Sequence, residues 1–172
     1  MGIFLLQQII LYVKLKLENF ALIGEIFLSK YSNRAVELFM QGKNCSQAVF
    51  TAFATDLGLT EEMALAVSAG LGGGVGRMRE VCGAVSGASM VVGLKYPELD
   101  KADVYEKVRL IADEFKKTNH SIVCKELLGL SKPENSSIPE ARTAEYYKKR
   151  PCVKIVEDAA LATEKILFGE VE

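Results

Sequence analysis

Residues 70–87 read GLGGGVGRMREVCGAVSG, and the reading of this stretch decides the fold. Its glycine run, Gly72-Gly73-Gly74-Val75-Gly76, lacks the Gly-Lys-Ser/Thr ending of a P-loop and follows a helical pattern rather than a strand. No βαβ unit surrounds it, so the stronger reading is a tight turn between two helices. Phosphate binding by the backbone of Gly73, Gly74 and Gly76, helped by Arg77 and Arg79, is the weaker alternative. Beyond the turn, helical spacing places Arg79 three residues before Cys82 and Ser86 four after it, which would put a guanidinium and a hydroxyl on the cysteine's face. Gly83 and Gly87 form a G-x-x-x-G pattern and, with Ala84 and Ala88, leave a surface nearly free of side-chain bulk. A second helix, a cofactor or another cysteine, Cys45 or Cys124, is expected to approach it.

Upstream, Ser32 is expected to cap a helix bearing Ala35, Val36, Leu38, Phe39 and Met40, closed by Gly42. Asn44-Cys45-Ser46-Gln47 reads as a capping box that opens the next helix, and Thr60 with Glu61 and Glu62 opens a third. Downstream, Val81 to Leu94 is apolar and ends before Pro97. A long amphipathic helix follows from Asp100 or Lys101 to Lys117, and His120-Ser121 opens a short one over 122–128. Pro151 suits the first turn of a final helix carrying Cys152, Ile155, Val156, Ala159, Ala160 and Ile166. No alternating Val/Ile/Thr-rich run appears after residue 30. The pattern predicts an all-α, single-domain helical bundle of about six to eight helices with a Gly-rich interhelical turn, residues 31–172, behind an apolar helical extension at 1–30.

Composition limits the function classes. A chain of 172 residues can bury roughly 70% of its unfolded surface in one core. Its net charge of -1 offers no basic field for nucleic acid. The apolar start, MGIFLLQQIILYV, is shorter than the ~20 residues a spanning helix needs and contains Gln7 and Gln8. It has no basic region before it and no A-x-A site after it, so the expected compartment is the cytoplasm. As a core or subunit-contact helix, this start points to a homo-oligomer.

Chemistry concentrates in four cysteines, Cys45, Cys82, Cys124 and Cys152, with no CxxC pair among them. Three fall in the first turn of an expected helix, where free N–H groups and the positive dipole end favour a thiolate. Lys148, Lys149 and Arg150 add positive charge before Cys152. Against this stands the ordinary role of cysteine as a small buried hydrophobe. His120, the single histidine, is expected to face solvent rather than act as a base.

Cys45, the segment GGGVGRMREVCGAVSGA, Cys124 in SIVCKELLG and Cys152 in RPCVKIVEDAA together resemble the family of redox-active proteins named for its C_GCAxxG_C_C pattern. The likeness covers roughly residues 31–166, and the CGAxxG signature falls on Cys82 to Gly87. It implies a helical intracellular protein whose four cysteines carry redox or metal chemistry. Related electron-transfer cytochromes add a haem-attachment CxxCH that this chain lacks, which excludes haem c.

Three readings follow. The first is thiol-based redox or electron transfer with an unidentified redox partner, in which the four cysteines form one or two dithiol pairs, Cys82 is central and Arg79 supports its thiolate. In the second, the same four cysteines bind zinc or an iron–sulfur cluster. The third is a structural helical dimer with packed cysteines.

Overall fold

The computed structural model describes residues 29–131 and 136–169, and the apolar extension expected at 1–30 lies, but for its last two residues, outside them. Among the described residues the chain forms eight α-helices: α1 Lys30–Met40, α2 Cys45–Ala54, α3 Glu61–Ser68, α4 Gly83–Lys95, α5 Lys101–Asn119, α6 Cys124–Leu127, α7 Ala144–Lys149 and α8 Cys152–Phe168. The all-α expectation holds. Extended pairing among these residues is limited to one antiparallel bridge, Val81 with Val123.

Local signals set most boundaries. Asn44 accepts from the Gln47 N–H at 3.0 Å while its own N–H donates to Gln47 Oε1 at 3.1 Å, the reciprocal box that fixes the start of α2. Thr60 caps α3 through the Met63 N–H, with Glu61 and Glu62 at the positive end of the helix dipole. Asp100 does the same for α5, and His120 at φ 64° ends that helix in the left-handed conformation. His120 therefore closes α5 instead of opening the next helix. Ser32 is likewise no cap: α1 begins at Lys30, and Ser32 is buried in its first turns.

Helix α2 is the hub. It packs chiefly on α4 and also on α3 and α8, and α8 in turn packs on α4 and α5. Phe39, Val49, Phe53, Val91, Val92, Ile111, Phe115 and Val156 fill the core between them. The Tyr31 and Phe53 rings stack at 4.2 Å, and Phe168 at the end of α8 lies over both. α2 and α4 approach closely because Gly87 has no side chain. A Cβ there would lie 2.7 Å from the Ser46 carbonyl oxygen and 3.2 Å from the Phe50 nitrogen. The bare face of the G-x-x-x-G pattern thus receives the α2 backbone at Ser46, one residue beyond Cys45.

Candidate functional site

All four cysteines stand at helix starts. Cys45, Cys124 and Cys152 are the first residues of α2, α6 and α8, and Cys82 is the N-cap of α4. Two backbone devices bring them together. Five consecutive residues, Gly73 to Arg77, have φ between 55° and 72°, a left-handed turn that a β-branched Val75 adopts only at a cost of about 1–3 kcal/mol. Its hydrogen bonds close on the turn itself: Gly76 N–H to Gly70 O (2.9 Å), Arg77 N–H to Gly72 O (3.2 Å) and Glu80 N–H to Gly74 O (3.1 Å). These donors serve the loop's own carbonyls.

The second device is a short two-stranded ladder. Cys82 N–H donates to Ile122 O at 2.8 Å, Cys124 N–H to Glu80 O at 2.7 Å and Lys125 N–H to Arg79 O at 3.1 Å. Cys82 and Cys124 each lie one residue from the bridged Val81–Val123 pair, on opposite strands, so alternation sends both to the same face of the ribbon. Room for Cys124 comes from Gly74, where a Cβ would sit 2.7 Å from the Cys124 Cβ.

Arg79 is 4% exposed, and its Nη1 lies 3.9 Å from the Cys124 sulfur. The sequence spacing had assigned this guanidinium to Cys82. That assignment assumed a continuous helix from 79 to 86, whereas Arg79 sits at φ 64° in the ladder and α4 begins only at Gly83.

The thiols differ sharply in acidity. Burial pushes Cys82 up to about 12, although its sulfur faces the N–H groups of Ala84 and Val85. Burial also raises Cys124, against the pull of Arg79. Cys45 and Cys152 are electrostatically coupled: Cys45 is raised, first by its interaction with the Cys152 thiol and then by burial. Cys152 is lowered to about 7, first by the hydrogen bond from Cys45, then by Arg150, Arg142 and Arg79, with burial opposing. A helix start alone therefore does not make a thiolate here. Of the four sites, only the one that combines a thiol donor with several guanidiniums overcomes desolvation.

Cys45, Cys124 and Cys152 line one cavity of about 570 Å³, together with Arg77, Arg79, Arg142 and Arg150. Gly73 and Gly76 form part of its wall, while Gly83 and Gly87 serve the α2–α4 contact. A neighbouring depression of about 410 Å³, beyond Glu140 and Arg150, contains no cysteine. Arg142 was not visible as a site residue in the sequence. It stacks 4.2 Å over the Phe39 ring and donates to the carbonyls of Phe39 (3.4 Å) and Lys43 (3.3 Å). Arg150, next to Pro151 and Cys152, was marked by position alone, and it pairs with Glu140.

All four cysteines are free thiols. Among the described residues no group of three or more Cys, His, Asp or Glu side chains converges in a way that could hold a metal ion. None of the described helices is long and apolar enough to cross a membrane. The sequence model of the C_GCAxxG_C_C family, described provisionally as redox-active, matches residues 43–166. No curated protein and no solved structure matches the chain.

Proposed function

Because the chain belongs to the C_GCAxxG_C_C family, whose description names a redox role and no reaction, we propose that it is a dithiol–disulfide redox protein in which Cys152 attacks and Cys45 resolves. The observation that carries this reading is the placement of Cys45 and Cys152 in the wall of one cavity with Arg142 and Arg150, where Cys152 is lowered to about 7 and Cys45 is raised. A thiol with its midpoint near ambient pH combines a large thiolate fraction with good nucleophilicity.

The chemistry balances within the pair. The Cys152 thiolate attacks one sulfur of a substrate disulfide, forming a mixed disulfide and expelling the other sulfur as a thiolate. Cys45 then gives up its proton and attacks the Cys152 sulfur, closing a Cys45–Cys152 disulfide and releasing the second substrate thiolate. Two electrons pass from the protein dithiol to the substrate, and a partner dithiol must restore the reduced form. Such a cycle belongs in a reducing compartment, which agrees with a cytoplasmic protein. Cys82, pushed up to about 12 and outside the cavity lining, and Cys124, which shares the cavity and is also raised, are not used in this exchange.

Mild oxidation followed by peptide mapping tests the reading. The expected product has two thiols fewer and one disulfide, between the peptides bearing Cys45 and Cys152. Four persisting thiols, or a disulfide confined to Cys82 and Cys124, would overturn it.

A further inference from the structure

The proposed dithiol leaves its substrate unspecified, and the cavity over it narrows the choice. The chain has six arginines, Arg34, Arg77, Arg79, Arg109, Arg142 and Arg150, and four of them line this one space. None of the described lysines does. Among the described residues of the lining the carboxylate is Glu140, which pairs with Arg150. The whole chain carries a net charge of only -1, so the positive lining is a local concentration and not part of a basic surface.

Residue type matters as much as sign. A guanidinium presents a rigid fork that matches a carboxylate or phosphate two bonds at a time, whereas an ammonium acts as a point charge. Arg142 is held in place by its stack on Phe39 and spends two of its five N–H donors on the Phe39 and Lys43 carbonyls, leaving three for a ligand. About 570 Å³ falls within the range of small-molecule sites, roughly 300–1,000 Å³, and is too small for a folded protein partner to enter. The wall also contains Cys152 and Cys45, so a ligand seated on the arginines lies against the sulfurs.

We propose that the substrate of the Cys45–Cys152 pair is a small disulfide bearing carboxylates or similar anionic groups, bound by Arg142, Arg150 and their neighbours in this cavity. The inference rests on the dithiol reading above. The anionic groups would orient the disulfide so that one sulfur meets Cys152, and the cations would also stabilise the anionic thiolate that leaves.

Three disulfides of similar size but different charge test it: 3,3′-dithiodipropionate, bis(2-hydroxyethyl) disulfide and cystamine. The readout is the rate of mixed-disulfide formation at Cys152 in the full chain, each rate divided by that of a small free thiol. All three probes meet the same thiolate, so the ratio of anionic to neutral rate is independent of the acidity of Cys152. The expected ratio is at least about tenfold in favour of the anionic probe over the neutral one, with cystamine slowest. It falls toward one in Arg142→Gln and in Arg150→Gln, and added salt reduces it. Equal reaction of the anionic and neutral probes at Cys152 would overturn this inference and leave the dithiol reading standing. No reaction of any probe at Cys152 would overturn both.

Discussion

Replacing Cys45 by alanine asks which neighbour makes Cys152 a thiolate. The hydrogen bond from Cys45 is the largest contribution, ahead of Arg150, Arg142 and Arg79, and burial opposes all of them. The result is a midpoint of about 7 in place of 9.0, equivalent to about 3 kcal/mol of preference for the charged form at ~1.4 kcal/mol per unit. At neutral pH that is the difference between about half and about 1% thiolate. Cys45→Ala removes the largest support and leaves the burial. The midpoint should rise by at least about one unit, and alkylation of Cys152 by iodoacetamide at pH ~7 should slow about tenfold or more. At pH ~10 the variant and the native protein should react alike. Cys45→Ser retains a donor and should keep the midpoint near the native one. The assay is the pH–rate profile of alkylation, with the Cys152 peptide quantified by mass spectrometry. An unchanged midpoint in Cys45→Ala would show that the arginines alone hold the charge, and a native midpoint in the ordinary thiol range would refute the pairing.

The same displacement links folding to pH. A thiol whose midpoint is lower in the fold than in the unfolded chain binds fewer protons when folded, here between about 7 and about 9. Its stabilising contribution is present in full above the unfolded midpoint and is lost as pH falls through about 7. Cys82, pushed up to about 12, works in the opposite direction. Above about 9 the unfolded chain ionises at that position while the fold resists, so stability declines as alkali is added.

Three further substitutions probe the scaffold. Gly87→Ala gains about 1 kcal/mol of helix propensity but drives a methyl to 2.7 Å from the Ser46 carbonyl, so denaturant titration should show a net loss of about 1–3 kcal/mol. Gly93→Ala, in the same helix with nothing within 4 Å, should stabilise by about 0.5–1 kcal/mol, and losses of equal size at both sites would contradict the close α2–α4 contact. Thr51→Val should raise stability by about 1 kcal/mol, a Tm increase of about 2–4 °C by calorimetry, because Thr51 is 1% exposed and its buried hydroxyl has no hydrogen-bond partner among the described residues. A lower Tm would mean that the hydroxyl has a stabilising role the side-chain contacts do not reveal.

Much of this was legible where the physics is local. The capping box at Asn44–Gln47, the Thr60 cap and the stop before Pro97 depend on residues within a few positions of each other, and each helix they predict is present. The placement of Cys45 and Cys152 at helix starts follows from the same local signals, whereas Cys124 opens α6 after Val123 without a side-chain cap. Pairing was not legible, because nothing in the spacing of 45 and 152 shows that α2 and α8 pack together. The assignment of Arg79 to Cys82 failed for a related reason. Helical spacing was extended backward through residues that glycines had already turned left-handed. Arg142 carried no signal at all, since its role depends on α7 and α1 presenting Tyr146 and Phe39 to one guanidinium.

The glycine-rich turn explains why a strained segment lies beside the thiols. A phosphate cradle would aim its N–H groups outward, but here those of Gly76, Arg77 and Glu80 turn back on the loop. What the left-handed run achieves instead is a reversal tight enough to let Gly74 meet Cys124 and to deliver Arg79 into the ladder, with its side chain against the Cys124 sulfur. Arg79 also reaches Cys152 electrostatically, so one buried guanidinium serves two thiols on different helices. Moving it by one register position would flip its side chain to the other face of the ribbon. The strain at Val75 and the absence of a Cβ at Gly74 are therefore what fix the positive charge behind the reactive pair. The turn bears on the chemistry by positioning Arg79.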